Sequence, residues 1–145
     1  MFKQIVLGLD GSPQSDRAFG LVLELAPLIK AGVTVVHVRE MMLAPAVGGV
    51  PRRIDEDALE QKVRDQAEQL RDAGATVEIR VIASTSPGGP AHDIVQAARD
   101  VGADLIAVGT RGQGLIAGLL LGSVTQRLMQ IAPCPVLAAP VEDAA

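Results

Sequence analysis

Gly109, Gly112 and the pair Gly122-Ser123 are the residues of this chain whose types and spacing suit a chemical task. They fall in the stretch VGTRGQGLIAGLLLGSVT, Val108–Thr125, directly after the apolar run Ala103–Val108, which reads as a buried strand. Gly114 adds a further glycine to the turn, and nine residues separate Gly112 from Gly122. A helical pattern then opens at Ser123. Strand, glycine-rich loop and helix start, in that order, make a seat for an anion. Glycines let the backbone approach a phosphate closely, and the unpaired N–H groups of a first helical turn point at it. The hydroxyls of Ser123 and Thr125 add donors, and the helix dipole favours negative charge there. No Gly-Lys-Ser/Thr follows the loop, so it is not a Walker phosphate loop. GTRGQG is not a nucleophile elbow either.

Arg111 sits inside the loop, either as a fork of donors for a phosphate or as a solvated charge. Asp10, in Asp10-Gly11-Ser12, has two readings. It is a turn-former or cap, or a carboxylate sharing Mg²⁺ with nucleotide phosphates. The remaining reactive side chains carry less. His37 falls within a β-branched run and reads as a packed or hydrogen-bonded strand residue, and His92 as a solvent-facing residue at a helix start. Two histidines so far apart lack metal-ligand spacing. Cys134, the single cysteine, stands between Pro133 and Pro135 and reads as a small packed hydrophobe. Glu60, Lys62, Arg64, Asp65 and Glu68 look like a solvated helix face. The apolar segment Ile116–Leu121 is core, a lid over a ligand, or a partner surface.

Alternating elements must position these residues. Lys3–Leu9 reads as a first strand, followed by a helix that starts near a Ser12 or Ser15 cap with Pro13 in its first turn and runs to about Ala31. Pro27 is expected to disturb that helix, and Gly32 to end it in the left-handed region. Val33–Val38 is the second strand, and Arg39–Pro51 a long loop whose Met41, Met42, Leu43 and Val47 are expected to pack. A charged helix spans Ile54–Ala73 and stops at Gly74. Thr76–Ala83 is a third strand whose alternation suggests a sheet edge. After the turn-rich Ser84–Pro90, a helix covers Ala91–Val101, closed by Gly102. Asp104–Val108 is the fourth strand, Ser123–Ile131 the last helix and Val136–Ala139 the last strand. The order predicts a single α/β domain over residues 1–140, a doubly wound five-stranded parallel sheet with helices on both faces, and a frayed acidic tail at 141–145. Ligands of such sheets bind beyond the carboxyl ends of the strands, where Asp10, Val38 and Gly109 fall.

Composition narrows the function classes. With no Trp, no Tyr and two Phe, the chain has no stacking platform for single-stranded nucleic acid. A net charge of −4 gives no electrostatic case for nucleic acid or an anionic membrane. No apolar run reaches membrane-span length, and the N-terminus lacks a signal-peptide core, so the expectation is a soluble cytoplasmic protein.

The spacing Gly109-x2-Gly112-x9-Gly122-Ser123 resembles the nucleotide-binding motif of the universal stress protein family, G-x2-G-x9-G-(S/T). The likeness spans nearly the whole chain: Asp10-Gly11-Ser12 closing the first strand, VVHV, PAHDIVQAA, DLIAVGTRG, GSVTQRL and PCPVL follow the family pattern in order. The resemblance implies a Rossmann-like fold of the adenine nucleotide alpha hydrolase type. It also implies ATP binding in members with the full glycine motif. On that basis Asp10, with Gly8 and Leu9 as backbone neighbours, lies near the adenosine and Val38 contacts adenine. Gly109, Gly112, Gly122 and Ser123 surround the phosphates, Val124 and Thr125 complete the helix start, and Val108 is counted among the nucleotide-binding residues. Mg²⁺ is expected to accompany the ATP; no metal ligand is assigned, with Asp10 the candidate through Mg-ATP if its carboxylate does more than form the turn. The resemblance further implies a homodimer through Val136–Ala139, an edge that would otherwise leave backbone groups unpaired. The motif holds no general base, so hydrolysis is expected to be slow or partner-dependent. Against this ATP-binding stress regulator stand a nucleotide-independent dimeric interaction module and an adenylyl-transferring enzyme. The retained glycines argue against the module, and no catalytic set is recognisable for the enzyme.

Overall fold

Strands rich in Val, Ile, Leu and Ala alternate with amphipathic helices, and the chain folds accordingly. A computed structural model describes residues 2–39, 44–47, 50–52, 55–84, 86–110 and 121–140. Its elements are β1 (Gln4–Gly8), α1 (Pro13–Ile29), β2 (Gly32–Arg39), β3 (Ala44–Val47), β4 (Val50–Arg52), α2 (Glu56–Asp72), β5 (Val77–Ala83), α3 (Gly89–Val101), β6 (Leu105–Gly109), α4 (Ser123–Ile131) and β7 (Val136–Ala139). The five-stranded sheet has the order β5-β2-β1-β6-β7, and each neighbouring pair is parallel. β5 stands at one edge, as its alternating charges predicted, and β7 at the other. The region expected to be a plain loop contains a small antiparallel pair, β3 with β4. Met41, Met42 and Leu43 lie outside the described residues, as do Ile116–Leu120 and the tail 141–145.

Strand side chains alternate between faces and build two cores. Ile5, Leu7, Val33, Val35, Leu105 and Ala107 face Ala18 and Val22 of α1 and Val63, Ala67 and Leu70 of α2. Val6, Val36, Ile106 and Val108 face Ala91, Ile94, Val95 and Ala98 of α3 and Leu128 of α4. With both faces covered, these strands bury continuous aliphatic runs, as parallel strands must.

Local chemistry fixes the ends. Ser12 caps α1, its hydroxyl accepting from the Ser15 N–H at 3.2 Å, and Asp55 caps α2 through the Ala58 N–H at 3.1 Å. The left-handed end of α1 is Lys30, at φ 54°, and not Gly32. Gly32 opens β2, where an added Cβ would sit 2.7 Å from the Gln4 Oε1. Pro27 lies in the last turn of α1, so its missing N–H and ring disturb only the helix end. At the amino end of the sheet, Asp104 accepts from the backbone N–H of Lys3 at 2.8 Å and of Gln4 at 3.1 Å. Partial burial raises the Asp104 carboxyl, and the backbone donors, with the N-terminal charge, outweigh that and hold it below the usual aspartate value.

Candidate functional site

The sheet runs from β1 outward to β2 and β5, then crosses back so that β6 joins the other side of β1. The switch point is therefore between β1 and β6, and the loops after these strands flank the crevice at their carboxyl ends. Gly8 closes β1 at the level of Val108. A Cβ on Gly8 would lie 3.0 Å from the Val108 Cγ1 and 3.5 Å from the Ile94 Cδ1, so glycine keeps the two strands and α3 close. Val38 and Val108 both pack on the α3/α4 side of the sheet. Gly8, Leu9, Asp10, Val38, Val108 and Gly109 thus share the carboxyl edge.

The glycine loop has a closed mouth. Its first residue past β6, Thr110, accepts through its carbonyl from the Gly122 N–H at 2.8 Å, so chain exit and return meet. Thr110 is tied in turn to β7 by its N–H, donated to the Ala139 carbonyl at 3.0 Å. Gly112 and Arg111, between the two ends, lie outside the described residues. From the mouth rises α4. Gly122 is its N-cap, extended at φ −71° and ψ 162°, and no side chain caps the helix. Gln126 bonds back to the Gly122 carbonyl at 3.0 Å. The N–H groups of Ser123, Val124 and Thr125 precede the first intrahelical bond and belong to the unpaired first turn. α1 and α2 are capped by side chains, whereas α3 and α4 have glycine N-caps without a side-chain bond, and of these two α4 follows the glycine loop and presents its positive end at the crevice.

Two residues read as phosphate contacts have structural work. Thr125 is buried, and its hydroxyl donates to the Gly109 carbonyl at 2.8 Å, joining α4 to the end of β6. Its hydroxyl hydrogen is committed, so only its backbone N–H is available to an anion. Gly109 is required by the start of α1: a Cβ there would fall 2.6 Å from the carbonyl carbon and oxygen of Gln14.

Asp10 is half-buried, and its Oδ1 accepts from the Ser12 N–H at 2.9 Å, a local turn that shapes the loop after β1. That loop is also held from α2, which the sequence did not reveal. His37 is fully buried, with Nδ1 2.8 Å from the Leu9 carbonyl and Nε2 3.1 Å from the Glu56 Oε2. Lys62 donates to the Gly11 carbonyl and to the Asp16 Oδ2, each at 2.9 Å, and Gln66 donates to the Asp16 Oδ1 at 3.0 Å. Gly11, at φ 81°, lies against the Leu59 side chain, leaving no room for a Cβ. Of the helix face read as solvated, Arg64, Asp65 and Glu68 are exposed, but Lys62 is not a bystander. His37 is a buried, bonded strand residue and His92 is exposed, as expected. Cys134 packs against the α3/α4 core. Burial, with the Asp104 charge, pushes its thiol up, which disfavours the nucleophilic thiolate. Among the described residues no group of His, Cys, Asp and Glu is arranged to hold a metal by itself, and no helix is long and apolar enough to cross a membrane.

A family model, universal stress protein family, matches residues 1–140. The chain belongs to the universal stress protein family. A universal stress protein of Thermus aquaticus is 40% identical over 139 residues, covering 94% of this chain and 98% of that one. A universal stress protein solved in complex with cAMP superposes with a TM-score of 0.69 at 26% identity, covering 97% of this chain and 98% of the other. The universal stress protein of Archaeoglobus fulgidus in complex with dAMP gives a TM-score of 0.65 at 27% identity, covering 96% and 98%. Both share the five-stranded parallel architecture.

Proposed function

We propose that this universal stress protein binds ATP with Mg²⁺ at the carboxyl edge of its sheet and acts as a nucleotide-responsive homodimeric regulator. The observation that carries the reading is the uncapped N-terminus of α4 rising from the closed mouth of the glycine loop, at the switch point between β1 and β6. Structural neighbours in complex with cAMP and dAMP support an adenine nucleotide as the ligand class. Gly8, Leu9 and Asp10 would line the adenosine, with Val38 against the base. The N–H groups of Ser123, Val124 and Thr125 would take the phosphates, helped by Val108, Gly109, Gly112 and Gly122 and by the Ser123 hydroxyl. Bound Mg²⁺ would neutralise phosphate charge, and Asp10 is the carboxylate at the crevice suited to it. The glycine motif carries no general base, so the nucleotide serves as a signal or structural ligand and is turned over slowly. The dimer would form through the outer edge of β7.

The test is direct. Purified protein is denatured and the supernatant examined for nucleotide by mass spectrometry, and Mg-ATP is titrated into the nucleotide-free form by calorimetry. Saturable binding below millimolar ATP is expected, and it is lost in a Gly112→Val/Gly122→Val variant whose circular dichroism is unchanged. Absence of both retained nucleotide and saturable binding overturns the reading and leaves a nucleotide-independent dimer.

A further inference from the structure

We propose that His37 and Lys62 are positioning residues for the nucleotide site, holding the loop around Asp10 from the direction of α2. The proposal rests on the adenine-nucleotide reading above and names what orders its carboxylate. The Leu9 carbonyl belongs to the peptide plane that enters Asp10, and it meets His37 Nδ1 at 2.8 Å. The Gly11 carbonyl belongs to the plane that leaves Gly11, and it receives Lys62 Nζ at 2.9 Å. A carbonyl only accepts, so Nδ1 carries a hydrogen and the bond runs from the ring to Leu9. Rigid peptide planes leave φ and ψ as the soft torsions, and the softest lie at Gly11, which sits at φ 81°. The two bonds bracket that soft point. Asp10 then makes its own turn, accepting from Ser12 at 2.9 Å, on a backbone fixed before and after it.

The ring cannot swing away. It is 1% exposed, and its Nε2 is 3.1 Å from the Glu56 Oε2 at the start of α2. Lys62 is anchored at the same time to Asp16 Oδ2, whose other oxygen is held by Gln66. Both tethers therefore begin on or are braced by α2, which contributes no residue to the glycine motif. A residue that only filled space at position 37 would need volume. This one directs Nδ1–H at the Leu9 carbonyl and sets Nε2 beside the Glu56 carboxylate, a bond that needs a proton on Nε2 or on Glu56, and the bond to Leu9 is the one that matters for Asp10.

Conservative variants separate the two bonds. The Asn amide nitrogen stands near the Nδ1 position and the Gln amide nitrogen near Nε2. His37→Asn keeps the bond to Leu9, and His37→Gln keeps the bond to Glu56. Mg-ATP affinity by calorimetry is expected within about threefold of wild type for His37→Asn and about tenfold weaker for His37→Gln and Lys62→Met, the scale of one lost hydrogen bond. Amide hydrogen exchange at Asp10, Gly11 and Ser12 is expected to quicken in His37→Gln and Lys62→Met and to stay unchanged in His37→Asn. Lys62 is 40% exposed, so its variant keeps the fold even where a buried change at 37 does not. Equal losses in His37→Asn and His37→Gln, or wild-type affinity in Lys62→Met with faster exchange at Gly11, overturn the proposal. Wild-type protein that takes up no ATP overturns the site reading itself, and the exchange contrast between the variants tells the two failures apart.

Discussion

Thr125 shows how one residue can hold the fold through its side chain and face the proposed site through its backbone. Its hydroxyl donates to the Gly109 carbonyl at 2.8 Å inside a buried environment, so removing it loosens the joint between α4 and β6. Thr125→Val keeps shape and drops the bond, and is expected to lower stability by about 1 kcal/mol. Mg-ATP affinity should stay within about threefold, because the contribution proposed for Thr125 to the anion is its backbone N–H. Denaturant unfolding and calorimetry on one sample check both, and a large affinity loss with unchanged stability would make the hydroxyl a direct ligand. The residue scale is also where reading from the sequence went astray. A glycine in a phosphate-type motif says that a Cβ is excluded, not what excludes it. At Gly109 it is the Gln14 backbone, 95 positions earlier in the chain, and proximity across that separation has no local signature. The same holds for His37 on Leu9 and Lys62 on Gly11. Gly32 misled because α1 ends two residues earlier, on Lys30. A lysine adopts the left-handed region at a cost that the surrounding contacts offset, and propensity favours glycine there.

Helices and strands were legible because period and breakers agreed. The predicted α4, Ser123–Ile131, matches the observed one, and β5 was read as an edge from Glu78 and Arg80 alternating with Val77, Ile79 and Val81. The β3–β4 pair was not legible, since strands of four and three residues beside Pro45, Gly48, Gly49 and Pro51 give too few alternations to register. Ser12 and Asp55 cap their helices, and α4 has glycine in that place. Stability and binding make opposite demands there. Gly122 is extended at φ −71° and ψ 162°, a conformation open to any residue, so Gly122→Asp fits the backbone. Its carboxylate would cap α4 and place negative charge where a phosphate is proposed to sit. Helix stability is expected to rise by a few tenths of a kcal/mol. Mg-ATP binding is expected to fall by more than tenfold. Thermal unfolding and calorimetry give the two signs, and a variant that is both stabilised and fully binding would place the phosphates elsewhere.

At the scale of the molecule, two helical layers protect both faces of the sheet, and its exposure is concentrated at the edges. β7 is the edge through which the dimer is proposed to form. Along a strand, backbone groups point alternately to either side. The Pro135 carbonyl accepts from the Ile106 N–H and the Ala139 carbonyl from the Thr110 N–H, each at 3.0 Å, so odd-numbered residues of this stretch face β6. Val136 and Ala138 therefore turn their N–H groups outward, and among the described residues no strand lies on that side. Val136, Leu137 and Ala138 are half-buried, which leaves apolar surface beside the unpaired groups. A second copy meeting this edge would satisfy both at once. Ala138→Pro removes one outward donor without touching the ladder to β6, and proline is tolerated on such an edge position. It is expected to convert a dimer to a monomer by light scattering, with circular dichroism and Mg-ATP affinity retained, because the crevice is built on β1, β6 and α4. A dimer that survives Ala138→Pro would move the interface away from β7. Nucleotide binding lost together with the dimer would mean that the partner copy completes the site.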